Sequence, residues 1–143
     1  MTFRFLEDIA IADIAFEVEA TDLNSLFSDA ADAFLAVQID NPQDLKTTEN
    51  IKLELSNRHL DILLYQFLQE LVYLKDVKGL LLSAQTINVH EAEKGFELVA
   101  VMGGEPLDPQ RHQERADIKA VTFHSLEAKK TAGGYLARVV LDV

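Results

Sequence analysis

The spacing of the apolar residues changes once along this chain, near Leu80, and that change restricts the fold more than any single motif. Before it, two stretches carry apolar side chains at steps of three and four: Leu23, Leu26, Phe27, Ala30, Phe34 and Val37, then Leu60, Leu63, Leu64, Phe67, Leu68, Leu71 and Val72. Each is an amphipathic helix, and the second stripe is wide enough to lie flat on a sheet. A short alternating run precedes each helix. Ile14, Phe16 and Val18 alternate with Ala15, Glu17 and Glu19, and Ile51, Leu53 and Leu55 with Lys52 and Glu54. These are half-buried strands. Thr21 or Asp22 is positioned to cap the first helix, Asn41-Pro42 to stop it, and Ser56 or Asn57 to cap the second.

After Leu80 the pattern belongs to strands, over Leu80–Val89, Phe96–Met102, Ile118–Ala128 and Tyr135–Val143. Glu93-Lys94-Gly95 and Thr131-Ala132-Gly133-Gly134 suit hairpin turns, and the Gly- and Pro-containing insert 103–116 suits an exposed loop. Helices gathered in one half and strands in the other predict an α+β fold, two helices packed on a largely antiparallel sheet. The 143 residues are expected to form a single domain, 1–143.

Composition narrows the functions. Twenty-four acidic against 13 basic residues give a formal charge of −11. Direct, tight nucleic-acid binding, which needs clustered Lys and Arg, is therefore disfavoured, while a basic partner or a cation is accommodated. Without cysteine there is no disulfide, thiolate metal site or thiol nucleophile. No apolar run is long enough to span a membrane and no secretion signal is evident, so a soluble, cytoplasmic protein is expected.

No nucleophile motif or phosphate-binding glycine loop is present, and His59, His90, His112 and His124 lack the short spacings of zinc sites. Three carboxylates stand out by position. Asp13 opens a strand, Asp40 follows the first helix, and Asp142 lies between Leu141 and Val143 at the end of an apolar strand. Ionised carboxylates there need a cation or donors, and oxygen ligands from separate elements suit Mg²⁺, Ca²⁺ or Mn²⁺. From the residues alone, solvated caps and strand ends are the commoner explanation of all three. Lys119 begins Lys-Ala-Val-Thr-Phe-His, where a surface lysine is the ordinary reading; His124 is an ordinary strand residue by the same standard.

Taken together, Asp108-Pro-Gln-Arg-His112, Asp117-Ile-Lys-Ala-Val-Thr-Phe-His124 and Gly134-Tyr-Leu-Ala-Arg-Val-Val-Leu-Asp-Val143 resemble the end of an archease in order and spacing. The helix Leu63–Asp76, Ile39-Asp40-Asn41-Pro42 and Ala12-Asp13-Ile14 agree with it. The resemblance implies a protein that activates a tRNA-splicing RNA ligase of the 3′-phosphate/5′-hydroxyl type, promoting its guanylylation and multiple turnover, with no catalysis of its own. It further implies a divalent-metal site at Asp13, Asp40, Asp142 and Val143, and a lysine for ligase activation at Lys119. The match departs just before Asp13, where the family usually has Asp-His-Thr-Ala-Asp and this chain has Ile9-Ala10-Ile11-Ala12-Asp13. Two alternatives remain: a metal-binding adaptor of another RNA-modifying enzyme such as a tRNA methyltransferase, and a metal-dependent hydrolase with His112 or His124 as base.

Overall fold

A computed structural model of the chain describes residues 3–6 and 13–143. Its strands are β1 (Phe3–Leu6), β2 (Asp13–Ala20), β3 (Glu49–Asn57), β4 (Leu80–Ala92), β5 (Gly95–Pro106), β6 (Ala120–Val121), β7 (Glu127–Thr131) and β8 (Gly134–Asp142). The helices are α1 (Leu23–Gln38) and α2 (Leu60–Lys78), and Pro42–Asp44 makes a short 3₁₀ turn. All described strand pairs are antiparallel, as the alternation after Leu80 implies.

The strands form two sheets where the sequence suggested one. The first has the order β1-β2-β8-β6, with β7 also pairing with β8; the second has the order β3-β5-β4. The burial of α1 explains the difference. Besides the expected stripe, Ala31, Ala33 and Leu35 are buried, so its apolar surface extends around the helix and needs cover on more than one side. α1 accordingly touches β2 and β8 of the first sheet and β4 of the second, while α2 touches β3 to β5 of the second and β6 and β7 of the first. Phe16, Phe27, Phe34, Phe67, Leu98 and Val139 meet in one core drawn from both sheets and both helices.

Local chemistry sets the ends of the elements. Asp22 caps α1, its Oδ1 accepting from the Ser25 amide at 2.8 Å. α2 differs from expectation: His59 occupies its N-cap without a side-chain hydrogen bond, and Asn57 instead braces the turn by accepting from the His59 amide at 2.9 Å. α2 ends at Gly79, whose left-handed conformation (φ 67°) lets its amide reach the Leu74 and Lys75 carbonyls. Both hairpins form where expected, closing at Ala92–Gly95 and Thr131–Gly134.

Two further expectations need correction. Gly103, Gly104 and Glu105 are buried members of β5 rather than an exposed loop, because the backbone of Leu81 approaches Gly104 so closely that only glycine fits. The strand expected over 118–128 is interrupted after Val121 by a turn with Leu126 N–H donating to the Phe123 carbonyl and Ser125 at φ 54°. Phe123 consequently leaves the sheet and is largely exposed, stacked on Tyr65.

Candidate metal centre

Asp13 opens β2 and Asp142 closes β8, and the antiparallel register sets them directly opposite each other. Cross-strand partners share a face, so the two carboxylates point to the same side of the sheet. Among the described residues neither has a side-chain hydrogen bond or ion pair, although both are half-buried. Like charges so placed repel unless something neutralises them. Four residues along the same face the contrast is plain. Glu17 pairs across the ladder with Arg4 and Arg138, and Arg138 in turn with Glu127. The Glu17 oxygens lie 2.7 Å from Arg4 Nη2 and 2.6 Å from Arg138 Nη2, and these hydrogen bonds, Arg4's first, hold the carboxyl below the ordinary glutamate range.

Asp40 follows the end of α1. Its amide donates to the Gln113 carbonyl at 2.7 Å, and the Lys119 amide donates to the Asp142 carbonyl at 2.8 Å, so the short segment from Gln113 to Lys119 connects the two aspartates. Asp40 is not unpaired: Arg115 Nε sits 3.1 Å from its Oδ1. The same guanidinium donates from Nη1 to the Ala36 carbonyl at 3.2 Å, and the Arg115 amide to the Gln38 carbonyl at 2.9 Å. Arg115 thus supplies the positive charge that the last turn of α1 lacks among its own residues.

A buried polar cluster fixes the loop that carries Arg115. Glu105 is 5% exposed and His112 3%. Burial pushes the Glu105 carboxyl up, but the Lys46 amide at 2.7 Å, His112 Nε2 at 3.2 Å and the Arg111 guanidinium together outweigh it and leave the group ionised below its ordinary range. His112 Nδ1 accepts from the Asp108 amide at 2.8 Å, which leaves the proton on Nε2 facing Glu105. Both ring nitrogens are engaged in holding the loop, so His112 is not placed to act as a hydrolytic base. Asn41 adds a second brace, its Oδ1 accepting from the Gln113 amide at 2.9 Å and its Nδ2 donating to the Arg111 carbonyl at 3.2 Å.

Lys119 is exposed beside Asp142, and its position is set from α2. Lys75 pairs with Asp117 and donates to the Ile118 carbonyl at 2.7 Å, while Gln69 Oε1 accepts from the Val121 amide at 3.1 Å. Burial lowers the Lys75 pKa, but Asp117 and Asp76 more than compensate and raise it. His124 is exposed in the turn, its amide donating to Thr122 Oγ1 at 3.3 Å.

The facing carboxylates of Asp13 and Asp142 are hard oxygen donors of the kind divalent cations prefer, and Val143, the residue after Asp142, can add its main-chain oxygen. They fit a cation. Asp40 is engaged by Arg115, and among the described residues no three acidic or histidine side chains are gathered into a ready-made cage. The altered segment Ile9 to Ala12 lies outside the described residues.

Residues 3–143 match the model of the Archease protein family. The chain belongs to the archease family. It is 35% identical over 142 residues to the protein archease of Methanosarcina mazei, covering 99% of this chain and 95% of that one. With its Pyrococcus abyssi counterpart it shares 32% over 133 residues, 92% and 93% of the two chains. The fold agrees with the solution structure of Methanobacterium thermoautotrophicum protein 1598 at a TM-score of 0.83 and 30% identity, over 99% and 98% of the chains. An archease crystal structure from Thermotoga maritima, described as a possible chaperone, shares the fold at a TM-score of 0.65 and 20% identity over 98% of each chain. Within this archease, sequence reasoning singled out Asp13, Asp40, Asp142, Val143 and Lys119. It missed Arg115, Asn41, Glu105 and Lys75, the groups that hold them in place. Glu105 was hidden by the two glycines before it, which read as a turn.

Proposed function

We propose that this archease is a protein activator, without catalysis of its own, of a tRNA-splicing RNA ligase that joins 3′-phosphate and 5′-hydroxyl ends. In this reading it promotes the ligase's guanylylation and multiple turnover from the cytoplasm. The observation that carries the reading is the Asp13–Asp142 pair, two carboxylates facing each other with no counter-ion among the described residues, beside the exposed Lys119. Asp13, Asp142, Val143 and, once released, Asp40 would hold a Ca²⁺, Mg²⁺ or Mn²⁺ ion, which supplies concentrated positive charge at an otherwise acidic tip. Lys119, whose backbone is tied to Asp142 while its side chain is exposed, extends an ammonium group toward the partner. The net charge of −11 supports docking on a ligase whose RNA-binding cleft is basic and makes direct RNA binding by this chain unnecessary.

The test is RNA ligation with the cognate ligase, GTP and metal, comparing wild type with Asp142→Ala. Wild type is expected to convert single into multiple turnover and the variant to lose that stimulation. Equal stimulation by both would remove Asp142 from the site. Recovery of an RNA methyltransferase and no ligase in a native pull-down would replace the ligase as partner.

A further inference from the structure

The β3-β5-β4 sheet has two outer edges, and chains that stay monomeric interrupt or cover such edges. β4 is protected in both ways. Its register with β5 shifts between Ala84 and Thr86, and its Val89 amide donates to Asn24 Oδ1 of α1 at 2.7 Å. β3 is protected in neither. It pairs with β5 without a shift over all nine of its residues, contains no proline, and among the described residues no side chain or loop hydrogen-bonds to its outer edge. Its residue order is also complementary to itself. Laid antiparallel against a second copy with all nine residues paired, Leu53 falls on the twofold axis and Lys52 stands opposite Glu54 of the other copy on both sides of it. Ile51 then meets Leu55, Asn50 meets Ser56 and Glu49 meets Asn57. Opposed residues share a face, so the charges meet on the solvent side, where Lys52 and Glu54 are 64% and 66% exposed, and the half-buried Ile51 and Leu55 meet on the core side. A slip of two residues sets Lys52 against Lys52 or Glu54 against Glu54, and a slip of one turns the apolar set to the solvent face.

We propose that β3 is a docking edge for a second copy of this chain: two copies join β3 to β3 antiparallel about a twofold axis at Leu53, making one continuous sheet in the order β4-β5-β3-β3-β5-β4. A second feature adjoins the same edge. α2 follows β3 after two residues and runs back beside it, and its Gln66 and Glu70 line a groove with Glu54, Leu55 and Ser56 of β3. The same helical stripe continues at Tyr73 and Val77, large apolar side chains that are 54% and 60% exposed. In the twofold pair the other copy's α2 lies on the same side of the joined sheet and covers part of this stripe. The edge belongs to the sheet that does not carry Asp13 and Asp142, so the pairing neither uses nor alters the β2–β8 ladder. One strand pair with a helical margin is a small interface, which makes the dimer concentration-dependent with a micromolar Kd.

Sedimentation equilibrium of the full chain between about 1 and 500 μM tests this on wild type, Lys52→Glu, Glu54→Lys, the double variant, and an equimolar mixture of the two single variants. The wild-type mass is expected to rise from 16.0 kDa toward twice that value. Each single reversal sets like charges opposite each other at both symmetry-related contacts, and should weaken the dimer by about tenfold or more. The double variant restores both pairs and should recover the wild-type Kd to within about threefold. The mixture is the decisive arm. A chain with Glu at 52 and 54 fits one with Lys at both, so two variants that stay monomeric apart should dimerise together. This recovery also shows that both variants are folded. A wild type that stays at the monomer mass throughout the range overturns the proposal. So does a dimer indifferent to either reversal, which would place the interface elsewhere, or a loss that neither the double variant nor the mixture restores.

Discussion

Replacing Asp142 by asparagine should make this archease more stable without metal and deaf to added metal. Asp142 faces Asp13 across the β2–β8 ladder, and no positive group among the described residues pairs with either side chain. Opposed side chains stand about 5 Å apart at Cβ. Two full charges at that separation repel by about 0.8 kcal/mol if screened as in water and about 3 kcal/mol at the effective dielectric of a protein surface. Both residues are half-buried at a strand end, so a value near the lower limit, roughly 1 kcal/mol, applies. For a chain of this size that raises the melting temperature by about 2–4 °C in the presence of chelator. Cation at a hundredfold excess over its Kd should reverse the order, stabilising the wild type by about 2.7 kcal/mol and leaving the variant where it was. Melting followed by circular dichroism, with EDTA and then with rising Ca²⁺, measures both effects. A variant that melts below wild type in chelator, or that keeps the full Ca²⁺ shift, would refute the claim that these facing carboxylates are an uncompensated pair awaiting a cation.

Two further predictions concern the frame. Glu17→Gln should lower the melting temperature at neutral pH by weakening the Arg4–Glu17–Arg138 ladder. Because the folded carboxyl is held below its ordinary value of about 4.5, that contribution is complete above pH 4.5 and fades as the pH falls through the depressed folded value. The gap between wild type and variant should therefore close in acid; a gap constant from pH 7 to pH 3 would contradict the charge-based account. Gly104→Ala would drive a Cβ into the Leu81 carbonyl where β4 and β5 meet, and should cost about 1–3 kcal/mol or more in urea unfolding. Wild-type stability in that variant would show that the close approach is relaxed in solution.

Much of the frame was legible in the residue order because helices and half-buried strands advertise their periods locally. The alternation of Ile14, Phe16 and Val18, the Asp22 cap, both helical stripes and both hairpin turns needed only near neighbours to be recognised. What misled was context. Gly103-Gly104 reads as a turn in sequence but is a strand made of glycine so that another backbone can pass. Phe123 continues an alternating pattern but lies on an exposed turn.

For the site, the residue order determined which side chains are oxygen donors and how much negative charge the chain carries, and its resemblance to archeases singled out Asp13, Asp40, Asp142, Val143 and Lys119. Tertiary structure alone decided that Asp13 and Asp142 face each other without a counter-ion among the described residues, that Glu17 on the same face has two, and that Asp40 is held by Arg115. Periodicity is a property of residues a few positions apart, and the chain displays it directly. Electrostatic pairing depends on the distance between groups that the chain separates by up to 129 positions, as it does Asp13 and Asp142, and only the register of the folded strands sets that distance.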